Sequence, residues 1–342
     1  IWEEYRRRGH SVGVFGSLQS WPPIDPGPGG FFVPDTFAHD ARCVPSYIEP
    51  LQRFNLGQVR RNGRVVDRKV GLSLEQLAII PAVLRTRLPP RLFVEAAAQL
   101  VAERFDDTRC ARRPTFQTLL FWEVFKHLYA AERPPAFATF FTNHVASAMH
   151  RFWDAWFPED FGRAADSPHP HRATMAFSLD VLDRLLADVD AMRARNPELL
   201  VVFASSMGQG AVKREHHGLE LVVRDLGRLL RRFGAPEGSF TPLLAMVPQV
   251  AAEIADDTIR EAVRAGLAAC VATNGEALFR IEVLGKSLSI TIVTPKERAT
   301  AEAGVFHLQS GGATAPWADA GIEVVATEAG TAYHVPEGVL AM

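Results

Sequence analysis

The feature that most restricts this chain is the alternation of short apolar runs with long segments of helical spacing. Val12 to Gly16 and Phe137 to Phe141 lack the in-out alternation of a half-exposed strand, which predicts strands buried on both faces. The second run passes at once into a predicted helix from Asn143 to about Phe157. Leu199 to Phe203 predicts another buried strand, and residues 220–234 a strand followed by a helix with Leu226, Leu229, Leu230 and Phe233 on one face. Leu179, Leu182, Leu185, Leu186, Val189 and Met192 share a helical face that Asn196-Pro197 closes, and Arg260 to Ala272 predicts a further helix. The expected class is therefore α/β, with a mainly parallel sheet and helices on both faces.

Other segments break the alternation. Prolines and glycines crowd residues 17–50 and predict irregular chain, while Asn62-Gly63 predicts a hairpin over 58–66. Residues 72–133 have helical spacing punctuated by prolines at 89, 90 and 114, and are expected to form a helical insertion or cap. Leu278 to Leu284 and Leu288 to Val293 predict a hairpin turning at Gly285-Lys286, and Glu323 to Ala326 a last short strand. With 342 residues, 47% of them hydrophobic, the chain holds ample material for a core. The expectation is one domain over 1–342, with the helical insertion at 72–133 inside it.

Composition narrows the partners. Lys and Arg total 37 against 39 Asp and Glu, a formal charge of −2 that argues against a general nucleic-acid binder. Arg60, Arg61, Arg64 and Arg68 are read as a solvated face. No apolar stretch reaches the roughly 18 residues of a membrane span. Cys43, Cys110 and Cys270 are odd in number and scattered, which argues against a disulfide framework and for a reducing, cytoplasmic compartment. The opening at Ile1, without initiator Met or signal-peptide pattern, reads as the start of a fragment.

Chemistry is expected at the carboxyl ends of strands, where open α/β sheets hold their ligands. Asn143, Ser147 and His150 follow the 137–141 run at i, i+4 and i+7 and fall on one helical face, a set that suits an anion or a metal, or else a helix cap and a half-buried imidazole. After the 199–203 run, Ala204-x-Ser206-x-Gly208 has the outline of a serine-hydrolase elbow, with Asp225, Asp319 and His334 following in workable order. His169, His171, His216 and His217 are read as solvated loop histidines.

Four stretches together resemble the alkaline phosphatase superfamily, in its type I phosphodiesterase and nucleotide pyrophosphatase branch. They are Gly9 to Gly16 with Trp21-Pro22-Pro23 and Gly30 to Val33, Thr142 to Trp153, Leu199 to Gly208, and Thr331 to Leu340. The resemblance implies an alkaline-phosphatase-like core, a phosphodiesterase or phosphatase activity, and a small phosphorylated ligand. It also implies divalent metals, zinc or manganese, and a Thr or Ser nucleophile that would lie upstream of Ile1. The family's ligand set departs here, since its Asp-His pair falls on Ser206-Met207, its first-motif Asp on Asn143 and the following His on Ser147. His334 carries over. The implied pocket for metal or phosphate is thus Asn143, Ser147, His150, Ser206 and His334, with the metal reduced in number or absent. A non-catalytic module binding a phosphate-type anion is the alternative, and a serine hydrolase built on Ser206 the third reading.

Overall fold

The computed structural model describes residues 1–62, 79–86, 88–130, 133–212, 218–243, 245, 249–308, 312–326 and 330–342. Their contacts gather into two compact units, one of residues 1–62, 79–212 and 330–342, the other of 218–326. The expectation of one superfamily domain with an inserted cap concerns ancestry, on which contact density does not bear.

In the first unit the chain forms α1 (Trp2–Arg7), β1 (Val12–Phe15), β2 (Phe31–Val33), α2 (Glu49–Asn62), α3 (Ile80–Arg85), α4 (Pro90–Ala102) and α5 (Arg113–Tyr129). It continues through β3 (Phe137–Phe140), α6 (His144–Phe152), α7 (Arg172–Arg195), β4 (Phe203–Ser205) and β5 (Gly208–Ala211). The first three strands make a parallel sheet in the order β2-β1-β3. Register puts Gly13, Phe15, Phe31, Val33, Ala138 and Phe140 on one face, because side chains alternate along a strand. That face packs on α5, where Phe125 meets Phe15, Phe31 and Phe140 with ring centroids 6.3, 5.7 and 5.3 Å away. On the opposite face Trp2 and Tyr5 of α1 meet Phe32 and Phe137. This small sheet is therefore covered by helices on both sides, as expected.

Two sequence expectations fail locally. The 17–50 segment contains β2, which the surrounding Gly and Pro masked; pairing with β1, and not periodicity, makes a strand of only three residues. The hairpin expected over 58–66 is helical in its first half, since α2 runs through Asn62; the remainder lies outside the described residues. Asn-Gly is a helix-stop signal as well as a turn signal. Arg64 and Arg68 of the basic patch and His216-His217 also lie outside them.

The second unit holds β6 (Leu219–Val223), α8 (Leu226–Arg232), β7 (Thr241–Leu243), β8 (Gln249–Glu253), α9 (Asp257–Ala268), β9 (Phe279–Leu284) and β10 (Ser287–Ile292). It ends with α10 (Arg298–Glu302), β11 (Val305–His307), β12 (Thr314–Pro316) and β13 (Ile322–Ala326). Its main sheet is antiparallel, ordered β7-β8-β10-β9. Leu288, Ile290 and Ile292 alternate into a core with Leu229, Leu267, Phe306 and Trp317. The expected hairpin turns at Gly285, whose φ of 58° a side chain disfavours.

The chain returns to the first unit as β14 (Ala332–Val335) and β15 (Val339–Ala341), antiparallel to β5 and β4. The fold is thus mixed α/β, but the mainly parallel sheet is a misreading. Among the described residues only β2-β1-β3 pair in parallel, and the other sheets are small and antiparallel. Short links such as Gly285-Lys286 admit only antiparallel neighbours, whereas parallel pairing needs a long crossover. The buried strand expected at 199–203 is corrected too: β4 starts at Phe203, and Leu200, Val202 and Phe203 are exposed, because a two-stranded ladder has no further layer over its faces.

Candidate functional site

The 142–153 segment leaves the carboxyl end of β3 and becomes α6, whose His144, Ala148 and Phe152 turn inward at i, i+4 and i+8. Asn143, Ser147 and His150 follow the flank of that buried stripe. Asn143 is exposed and its side chain makes no capping bond, while Ser147 and His150 are half-buried.

His150 is where the returning chain docks. Its carbonyl accepts a hydrogen bond from the Thr331 amide at 2.8 Å, and its ring Nδ1 donates to the Ala332 carbonyl at 3.0 Å. Gly330 is needed for this approach, since a Cβ there would lie 2.9 Å from the His150 carbonyl oxygen. With its proton on Nδ1, a neutral His150 carries a lone pair on Nε2. Two residues further along β14, His334 lies opposite Gln209 of β5, and the Gln209 Nε2 amide donates to His334 Nδ1 at 3.0 Å. That leaves the His334 proton on Nε2. The two imidazoles meet edge to face, centroids 4.6 Å apart at 86°.

Ser206 and Met207 form the turn from β4 to β5, and both are exposed. Against them lies the β14–β15 turn, so close that a Cβ on Gly338 would sit 2.1 Å from the Ser205 carbonyl oxygen and 2.9 Å from the Ser206 carbonyl carbon. Ser206 thus borders the end of the ladder that carries His334. Asn143 stands apart, seven residues before His150 and so about 10 Å away along the helix axis. The structure brings together His150 and His334, sets Ser206 at the neighbouring turn, and separates Asn143 from them.

The elbow expected at Ser206 is absent: β4 turns into another strand, whereas the nucleophile elbow needs a helix there. Asp225, one of the two acids in workable order, caps α8 by accepting from the Arg228 amide at 2.8 Å. His169 and His171 are half-buried, not solvated. His169 Nε2 lies 3.5 Å from Asp154 Oδ2, and the His171 ring stacks on Phe152 at 4.0 Å.

Among the described residues no three of His, Cys, Asp or Glu are grouped to share a metal ion. Two imidazoles by themselves do not fit a paired-cation centre, whose charge needs acidic ligands to neutralise it. No helix among the described residues is long and apolar enough to cross a membrane.

Sequence reasoning passed over Thr142 and His144. His144 is buried; its Nε2 donates to the Ser178 carbonyl at 3.1 Å, and Nδ1 lies 2.8 Å from Thr142 Oγ1. Burial pushes this imidazole down to about 4, against the smaller opposing pull of Ser178. A Thr-x-His placed directly after the apolar run 137–141 was the available signal. Neither a protein-family model, nor a curated protein, nor a solved structure matches this chain.

Proposed function

We propose that this chain is a phosphoester hydrolase-like protein on an alkaline-phosphatase-like core, its metal site reduced to a two-histidine grip on a small phosphorylated ligand. The observation that carries this reading is the edge-to-face contact of His150 and His334, each fixed through Nδ1. His334 Nε2 offers an N–H. A phosphomonoester complements that N–H, because an unprotonated oxygen accepts from it beside the edge-to-face His150 ring. Ser206, at the adjoining turn, adds a hydroxyl that both donates and accepts.

That no three of His, Cys, Asp or Glu are grouped for a metal among the described residues favours a second reading, a module that binds the phosphate without hydrolysing it. Calorimetric titration with inorganic phosphate and turnover of p-nitrophenyl phosphate with zinc or manganese present separate the two. His334→Ala should weaken phosphate binding by about tenfold, the worth of one hydrogen bond to a charged group. Unchanged affinity in that variant would remove the proposal, and turnover by the parent chain would decide for the hydrolase.

A further inference from the structure

We propose that Thr142 is a nucleophile with His144 as its base, acting on an uncharged carboxylic ester. This goes beyond the phosphate reading and uses a different place: Thr142 lies eight residues before His150, about 12 Å along the axis of α6.

The hydrogen bonds fix the protons. A carbonyl only accepts, so the bond to the Ser178 carbonyl puts the His144 proton on Nε2. In the neutral ring Nδ1 must then accept, and the Thr142 hydroxyl is the group aimed at it, at 2.8 Å. The hydroxyl–imidazole–carbonyl series has the order of a nucleophile, its base, and a third group that holds the base's tautomer. Thr118 Oγ1, which donates to the Pro114 carbonyl at 3.3 Å, also sits 3.2 Å from Thr142 Oγ1. Thr142 is half-buried at the carboxyl end of the parallel strand β3, between the exposed Phe141 and Asn143, so a ligand can reach it.

The substrate class follows from charge. The three groups that bond this hydroxyl–imidazole pair, Thr118, the Ser178 carbonyl and the His144 amide, are all neutral. They offer nothing to neutralise a phosphate dianion and suit an electrophile that gains charge only as it reacts. Beyond the His144 amide, which donates to Thr142 Oγ1, the first-turn amides of α6 have no intrahelical acceptor, and the Asn143 side chain does not cap them, so they can serve a developing oxyanion.

In the reaction Thr142 Oγ1 bonds to the ester carbonyl carbon as its proton passes to His144 Nδ1, and the carbonyl π pair moves onto oxygen. Collapse breaks the bond to the alkoxide, which leaves with the proton from Nδ1 as the alcohol and yields an acyl-Thr142. Water then attacks the acyl carbon and gives its proton to Nδ1. The Thr142 oxygen leaves and takes that proton back, so ester and water become acid and alcohol.

The test uses p-nitrophenyl acetate with the whole chain, followed by mapping of the acetyl group by peptide mass spectrometry. A burst of nitrophenol and an acetyl group on residue 142 are expected. Thr142→Ser should retain both and Thr142→Val neither. His144→Gln should slow the burst about 10²-fold, the lower range for a general base. Circular dichroism and a thermal melt would show that each variant is folded. A folded parent chain that gains no acetyl group, an acetyl group mapped to Ser206 or elsewhere, or an undiminished burst in Thr142→Val would each overturn the proposal. A Thr142 that merely ends a strand forms no covalent adduct, so the label distinguishes the roles.

Discussion

At the scale of single residues, burial has different consequences for an imidazole and a glycine. His144 is held neutral at about 4, whereas an exposed imidazole titrates near 6.5. The folded state therefore binds this proton less readily than the unfolded chain, so its contribution to stability is complete above about pH 6.5 and is lost as the pH falls through about 4. The gap corresponds to about 3 kcal/mol. Urea midpoints measured from pH 7 down to pH 4 should fall along that curve, and a midpoint independent of pH across the window would mean the ring is not buried neutral. Gly13 makes the opposite point, that space alone can dictate a residue. A Cβ there would lie 2.6 Å from the Phe31 ring and 2.9 Å from Pro135, where β1 and β2 face each other. Gly13→Ala should cost about 1–3 kcal/mol by overpacking, read from the same denaturant titration.

At the scale of elements, the first unit depends on how α5 lies across the parallel sheet. Phe125 stacks on Trp122 and Tyr129 of its own helix, at 5.2 and 5.8 Å, while meeting three sheet phenylalanines. Phe125→Ala should therefore cost about 3–5 kcal/mol, since a large aromatic leaves a cavity that its neighbours cannot close. The polar side of α5 is tied to α7: Lys126 Nζ reaches Asp188 at 2.6 Å, and the Trp122 indole N–H donates to the same carboxylate at 2.8 Å. Burial acts to raise the Asp188 carboxyl, but the bonds from Lys126 and Trp122 outweigh it and hold the group below the usual range. These helices were legible in the sequence because apolar residues at helical spacing and flanking prolines act over neighbouring positions. The β4 and β5 strands were not, because their partners, β15 and β14, lie more than a hundred residues along the chain.

At the scale of the whole molecule, each unit carries a buried thiol that reports on its own core. Cys43 and Cys270 are both pushed up to about 12 by burial. At pH 8 their thiolate fraction is about 10³-fold below that of a free cysteine, and only the thiolate reacts. Alkylation followed by peptide mapping should find both slow in the native chain and fast in denaturant; fast native labelling at Cys270 would show an open core in the second unit. The chain's own pattern was enough to determine a mixed α/β fold, the positions of β1, β3 and most helices, and a face of α6 bearing Ser147 and His150. All of these depend on local spacing, on which backbone geometry acts directly. Three things were settled only by tertiary contact: that most pairing is antiparallel, that His334 meets His150 and not Asn143, and that Ser206 turns into a strand. Long-range pairing brings together segments whose separation in sequence carries no periodic signal, so the energy that selects those partners appears only once the chain has closed on itself.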